Sequence, residues 1–354
     1  MSKAISRRNF IRLAGGTAAV ASGASLLPRF MGKNVLNPSE IKVASAQEPA
    51  ADMFLGGTDG WIYLPPDPPI IRPAFGQVHP DTLAPNDSVG NPLTTYMFGF
   101  RNVTGMTVTQ RSNQKNKAQH NAPIFWVNQY NGSNEFRVNL TNLGLAQRPD
   151  LFDEHTLHWH GFRNVIPFFD GEPTGSVSVP TGRIFTYVYR PREAGTYMYH
   201  CHVEDTEHVH MGMTGLVFVR PLQNGNTSFY PSGKYAYNDG NGSTGYDREY
   251  AMFLSEMWAD SHWADAHIQL PEWSDYRADF AMLNGRVYPD TILPNSPLVE
   301  PLNPNLNYLP VQTDANGDLA VIPGHENLQF QPLSALVKCN AGERVLLRFA
   351  NLGF

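Results

Sequence analysis

Cysteine is almost missing from this chain: its 354 residues hold two, Cys201 and Cys339. A dense disulfide scaffold is thereby excluded, and a single bond between the pair is the simplest alternative use. Charge is also sparse, at 16% of residues with a net of −6, so neither nucleic acid nor an anionic membrane surface is an expected partner. Beyond the amino terminus no apolar run is long enough to span a bilayer. Sustained helical periodicity is absent, which excludes a helical bundle.

Glycine and proline are plentiful instead, at 30 and 28 residues, and both are spread through the chain. With hydrophobic residues at 42%, this is the balance of a globular all-β protein with many turns. The length suits two domains, each with its own core. Phe136-Arg137-Val138-Asn139-Leu140 and Val177-Ser178-Val179 alternate as half-buried strands do. Ile184–Tyr189, Leu216–Val219 and Tyr250–Leu254 are further strand candidates, separated by turn signals such as Asp170-Gly171 and Ala194-Gly195. A Greek-key β-sandwich is the expected architecture. Leu336-Val337-Lys338-Cys339 reads as a strand with Cys339 buried, and Trp258 through Trp263 as strand and turn.

The amino terminus reads as an address. Ser6-Arg7-Arg8-Asn9-Phe10-Ile11 resembles a twin-arginine export signal, followed by an Ala/Gly-rich run ending near Leu27 and a candidate cleavage site at Ala44-Ser45-Ala46. That predicts a leader over 1–46 and a periplasmic or extracellular location. The next unit is expected over 53–223, a Gly/Asn/Ser/Tyr-rich linker over 224–247, and a second unit over 248–354. Asn134–Gly144 and Glu343–Gly353 echo each other: each is a polar start, an alternating strand, then Asn-Leu-Gly. The echo predicts a duplicated domain. Because the sequence stops at Phe354, one residue after the second echo, the second copy is expected to be incomplete and the natural protein to continue.

Seven of the twelve histidines fall in two clusters, His155-Thr156-Leu157-His158-Trp159-His160-Gly161 and His200-Cys201-His202 with His208 and His210. On extended backbone, alternate side chains share a face, so His158 pairs with His160 and His200 with His202, while Cys201 points the other way. Two imidazoles, a thiolate and a weak axial thioether make the trigonal site of a blue-copper centre, and His155, Cys201, His208 and Met213 supply that set. Imidazole without thiolate suits copper that binds and reduces oxygen, and His158, His160, His200 and His202 supply four such ligands. A compact tetrahedral zinc cage fits poorly, because His-Cys-His on one strand spreads its ligands. Trp159 and Tyr199 are expected to keep the site dry, and Glu204, Asp205 and Glu207 to form a solvated loop that could relay protons or bind a cationic substrate.

Taken together, His-x-x-His-x-His-Gly and His-Cys-His followed by His and Gly-Met resemble the paired copper motifs of multicopper oxidases, the laccase-like family. Arg192–Tyr197 before His200, Phe169-Asp170-Gly171, and Asn284-Gly285 with Tyr288-Pro289-Asp290 extend the resemblance over most of 53–354. The resemblance implies cupredoxin-like domains, His155, Cys201, His208 and axial Met213 at type 1 copper, and His158, His160, His200 and His202 at the type 2 and type 3 coppers. No catalytic residue beyond the ligands is implied. The implied reaction takes single electrons from a phenol or a low-valent metal ion and reduces O2 to water. Two departures stand out. Glu204–Glu207 lengthens the usual cysteine-to-histidine gap by two residues, leaving Met211 and His210 as alternative ligands. The family's second set of His-x-His pairs is also missing from the sequence. A type 1 electron carrier without a complete cluster, a cluster completed between the subunits of a homo-oligomer, and a copper nitrite reductase are therefore the alternatives.

Overall fold

The structure is a computed structural model that describes residues 50–65, 71–72, 77–78, 80–85, 93–162, 166–295 and 317–353; the expected leader and cleavage site lie outside them, as does Phe354. Strands dominate: β1 (Met53–Ile62), β2 (Ile71–Arg72), β3 (Gln77–Val78), β4 (Thr95–Asn102), β5 (Phe125–Asn128), β6 (Phe136–Gly144), β7 (His158–His160), β8 (Ile184–Tyr189), β9 (Gly195–His200) and β10 (Thr214–Arg220). Three further strands follow: β11 (Arg248–Met257), β12 (Phe280–Leu283) and β13 (Val345–Asn351). The described helices are short: α1 (Val108–Ser112), α2 (Asp205–His210) and α3 (Ala259–Ala266). This is the expected all-β fold.

Two four-stranded sheets, ordered β4-β1-β6-β8 and β5-β10-β9-β7, form a sandwich. Each mixes antiparallel pairs with one parallel pair, β1 with β6 and β5 with β10. The alternation read from Phe136–Leu140 is obeyed in part: Phe136, Val138 and Leu140 face the core and Arg137 is exposed, but Asn139 is buried too, its amide donating to the Thr186 hydroxyl at 3.0 Å. They meet Phe98, Phe100, Phe125, Trp159, Tyr187 and Tyr199 in one buried cluster that also contains Cys201 and Met213. Each large side chain removed from water there contributes roughly 1.5–3 kcal/mol. The metal-motif residues thus sit at the edge of the main core.

The third sheet, β12-β11-β13, pairs β11 antiparallel with β12 and parallel with β13. Strand order and direction repeat those of β4-β1-β6, and the two echoed segments fall on the equivalent strands β6 and β13. Asn284 and Gly285 follow β12 with φ of 51° and 80°, the double positive φ that a tight type I′ turn requires and that Asn-Gly favours. Phe253 of β11 and Leu333 pack with Ile124, Trp126, Leu216 and Phe218 on the outer side of β5 and β10.

Several expectations fail locally. Leu336–Cys339 forms no strand and Cys339 is exposed. The reason is topological: β11 already has a partner on each side, so no edge of it remains for this segment to join. Residues 259–266 are the helix α3 rather than strand and turn, favoured by three alanines with Ala264 and Ala266 turned inward. Val177–Val179 contributes only an isolated bridge, Val179 to His155. The stretch 224–247 is knitted together rather than loose: Asp239 accepts from the backbone of Asn241, Gly242 and Thr244, and Tyr235 is buried with its hydroxyl on the Asn226 carbonyl.

Candidate metal centre

Strand pairing assembles the two histidine motifs. In the second sheet β9 lies between β7 and β10, so His158 stands opposite His200 on one side and Thr214 opposite it on the other. Cys201 follows directly and donates its backbone N–H to the Met213 carbonyl at 3.0 Å, which ties the end of β9 to the start of β10. His155 precedes β7 and is fixed by a reciprocal backbone pair with Val179. The chain then loops through α2, which returns His208 to the sulfur. Thr156 joins the motifs: its N–H points to Cys201 Sγ at 3.4 Å, and its hydroxyl accepts the His202 N–H at 2.9 Å.

On the cysteine face, ligand atoms of His155, Cys201 and His208 all lie within 4.8 Å of one another, and all three residues are fully buried. His208 Nδ1 is 3.3 Å from Cys201 Sγ. Met213 is buried beside them; Gly57 leaves room for the His155 ring and the Met213 methyl, which a Cβ there would meet at 2.7 and 3.5 Å. His210, weighed as an alternative ligand, faces elsewhere, its ring 5.1 Å from that of His262. The other face gathers the remaining imidazoles. Ligand atoms of His158, His160 and His200 lie within 4.8 Å of one another, and the His202 ring is 5.0 Å from that of His158.

Electrostatics suit both faces to metal. Burial pushes the Cys201 thiol up, but the charge of His208 and the contacts with His155 and His208 outweigh it and hold the thiol well below its usual range. A thiolate is the form that binds a soft metal ion. Burial likewise opposes charge on His208, yet Cys201 and Asp153 raise it to about 10, so without metal the pair is a thiolate beside an imidazolium, and a bound metal would displace that proton. Both ring nitrogens of His155 are buried without a hydrogen-bond partner, an arrangement that costs about 1–3 kcal/mol unless a ligand satisfies it. On the second face, burial lowers His200 to about 4, with neighbouring imidazoles adding to the shift, so it is neutral and able to ligate. His158 Nδ1 donates to the Asp170 carbonyl at 2.7 Å, which leaves its Nε2 for a ligand, and His200 Nδ1 donates to the Cys201 carbonyl at 2.8 Å, which turns its Nε2 toward His160 Nδ1 at 3.3 Å. The donor set fits copper: thiolate with imidazole on one face, imidazole alone on the other.

Residues 109–224 match the multicopper oxidase family. This part of the chain is similar to a multicopper oxidase domain. A laccase-like multicopper oxidase of Thermothelomyces thermophilus is 37% identical over 78 residues, covering 21% of this chain and 11% of that protein. Among solved structures, a blue copper oxidase from Nitrosomonas europaea matches at 21% identity and a TM-score of 0.41, covering 68% of this chain and 54% of that one. A multi-copper oxidase from Pseudomonas thermotolerans matches at 17% and 0.40, over 66% of this chain and 41% of its own. A copper nitrite reductase from Nitrosomonas europaea matches at 15% and 0.43, over 85% and 67%. The chain therefore spans about half or less of the two oxidase structures and a small part of the laccase-like protein.

Sequence reasoning passed over Asp153 and Thr156. Asp153 Oδ2 lies 3.5 Å from His208 Nε2, on the side of the ring away from the sulfur. The available signal was Asp-x-His, which puts Asp153 and His155 on one side of extended backbone.

Proposed function

We propose that this chain is the copper-binding part of an oxidoreductase in which His155, Cys201, His208 and axial Met213 form a type 1 site, and His158, His160, His200 and His202 give half the ligands of an oxygen-reducing cluster. The observation that carries this reading is the convergence of His155, Cys201 and His208 on one face while His200, next to the same cysteine, joins His158 and His160 on the other. Copper bound at Cys201 would accept and release electrons one at a time, which no side chain here does alone.

The chain's own residues do the rest. The peptide bonds linking Cys201 to His200 and His202 give a covalent route between the two ligand groups. Trp159, stacked on Tyr189 at 3.8 Å, and Tyr199, donating to the Pro123 carbonyl at 2.6 Å, hold the route dry and rigid. The proposed overall reaction uses a phenolic or low-valent metal-ion reductant and O2, with water as product. The export signal would place it in the periplasm or outside the cell, and no described helix is long and apolar enough to cross a membrane. We assign 53–223 to a first cupredoxin domain and 248–354 to part of a second.

A second reading follows from the four-histidine count on the oxygen side. Alone, this chain could act as a type 1 electron carrier; the oxidase reading needs the cluster completed by further chain or by a second copy. Copper stoichiometry with the visible spectrum separates the cases. About four coppers per chain with oxygen uptake supports the oxidase, whereas one copper with a blue band lost in Cys201→Ser supports the carrier. Absence of any thiolate band in the copper-loaded chain would refute both.

A further inference from the structure

His120 and His262 lie outside both ligand groups, and the proposed reaction gives them no task. His120 precedes β5 and is 2% exposed, yet neither of its ring nitrogens has a hydrogen-bond partner. Burial, to which nearby His262 adds, pushes it down to about 3, so the ring is neutral and carries a lone pair. A buried polar group without a partner is unfavourable, and a metal ion that takes the lone pair removes that cost. A thioether stands beside the ring. A Cβ on Gly212 would meet His120 Nδ1 at 2.8 Å and the Met97 methyl at 3.0 Å, so both side chains close on one point. His262, on α3, is fully buried, and its Nδ1 lies 2.6 Å from the carbonyl of Tyr96, the residue before Met97. That contact requires the proton on Nδ1 and puts the lone pair on Nε2, the way metal-ligating imidazoles are commonly held. His210 borders the group, its ring 5.1 Å from that of His262, but its Nε2 accepts the Trp258 N–H at 3.2 Å.

We propose that His120, His262 and Met97 form a separate buried site for one monovalent copper ion, which fastens the sandwich to the third sheet. Two imidazoles and a thioether are an uncharged donor set, and the thioether selects Cu(I) among the biological metal ions. Burial favours the same choice, because a monovalent ion costs less to desolvate than a divalent one when its ligands bring no charge. Met257 and Met282 pack in the same buried cluster as Met97, so thioether sulfur is plentiful around the site. The ligands also come from both sides of a junction. Met97 is on β4 and His120 leads into β5, both in the sandwich, whereas α3 with His262 connects β11 to β12 of the third sheet. The ion is structural here: no electron has to pass through it, and the site stands whether or not copper binds at Cys201.

Cu(I) titrated anaerobically into the full chain, with bicinchoninate as the competing chelator, tests the site. The parent should retain one more Cu(I) per chain than His120→Gln or Met97→Leu, or hold it at least about tenfold more tightly. Without copper, Met97→Leu should unfold at the parent's temperature, since it conserves volume. With Cu(I) present, the parent should gain more thermal stability than either variant. On admission of air the blue band should form in Met97→Leu as in the parent, which keeps this ion distinct from the one at Cys201. Equal Cu(I) retention by the parent and both variants would overturn the inference, as would loss of the blue band together with the extra ion in Met97→Leu. A parent without a blue band that still holds one Cu(I) more than its variants would instead overturn the copper reading at Cys201 and leave this site standing.

Discussion

His208 Nδ1 lies 3.3 Å from the Cys201 sulfur although six residues intervene in the chain. Between them α2 turns His208 inward and His210 toward His262. Two methionines, Met211 and Met213, follow close behind, and both are fully buried. Only Met213 shares the space beside Gly57 with the His155 ring.

That difference makes the axial position testable. Met213→Leu should raise the reduction potential of the copper-loaded chain and shift its thiolate band, because a donor to the oxidised metal is lost. Met211→Leu should change neither. Both exchanges conserve volume and should cost less than about 1.5 kcal/mol. Identical potentials for the two variants would remove Met213 from the ligand set.

Gly171 has φ of 78°, and a Cβ there would lie 2.3 Å from the Leu157 carbonyl oxygen. The close approach lets the neighbouring Asp170 carbonyl receive His158 Nδ1. Gly171→Ala should therefore destabilise the fold by more than about 1 kcal/mol and loosen the second imidazole group before the first. Thermal unfolding and copper titration check it: the expected outcome is a lower melting point with the thiolate band kept. An unchanged melting point would contradict this packing argument.

Thr156 offers a finer probe. Thr156→Val keeps the shape but removes the acceptor of the His202 N–H, leaving that donor without its partner at a cost of about 1–3 kcal/mol. The Thr156 N–H on the sulfur is a backbone group and should survive. Loss of stability with an unshifted thiolate band is expected; a shifted band with no loss of stability would show that the hydroxyl acts on the sulfur instead.

The sequence made the site more legible than its surroundings, for a physical reason. Metal ligands carry their spacing on extended backbone, where period two decides which side chains meet, so His158, His160, His200 and Cys201 could be sorted by face from the text alone. Ile184–Tyr189 was equally readable, since aromatic and β-branched residues alternate over its full length. The Leu336–Cys339 segment was not, because whether an apolar run becomes a strand depends on a free edge elsewhere in the fold. The helix at Ala259–Ala266 was obscured by Trp258 at its N-cap and Trp263 within it. Asp153 was missed because Asp-x-His places it only on the side of His155, and nothing in the sequence says that its carboxylate meets His208.

Glu249 illustrates a contact that only the assembled sheets reveal. On β11, it receives Arg348 Nε of β13 at 2.7 Å, Arg220 Nη2 of β10 at 2.6 Å and the Tyr246 hydroxyl at 2.7 Å. Arg348 also lies 4.4 Å over the Phe218 ring, and Arg220 lies 4.0 Å over that of Trp126, so the cluster fastens the third sheet to the second. Burial pushes the carboxyl up, but Arg348 and Arg220 outweigh it and hold it below its ordinary range. A depressed folded-state value means that the stabilisation is fully present above the unfolded pKa of about 4.3, and is lost as pH falls through the lower folded value. Glu249→Gln leaves two largely buried guanidinium groups without their counter-charge, a change of the kind that costs about 3–5 kcal/mol near neutral pH. Urea unfolding of parent and variant should show that gap at pH 7 and a shrinking gap below about pH 4.3, as the parent's carboxylate takes up its proton. A gap that is absent at pH 7, or that persists unchanged into strong acid, would mean that the charge on Glu249 does not hold the sheets together.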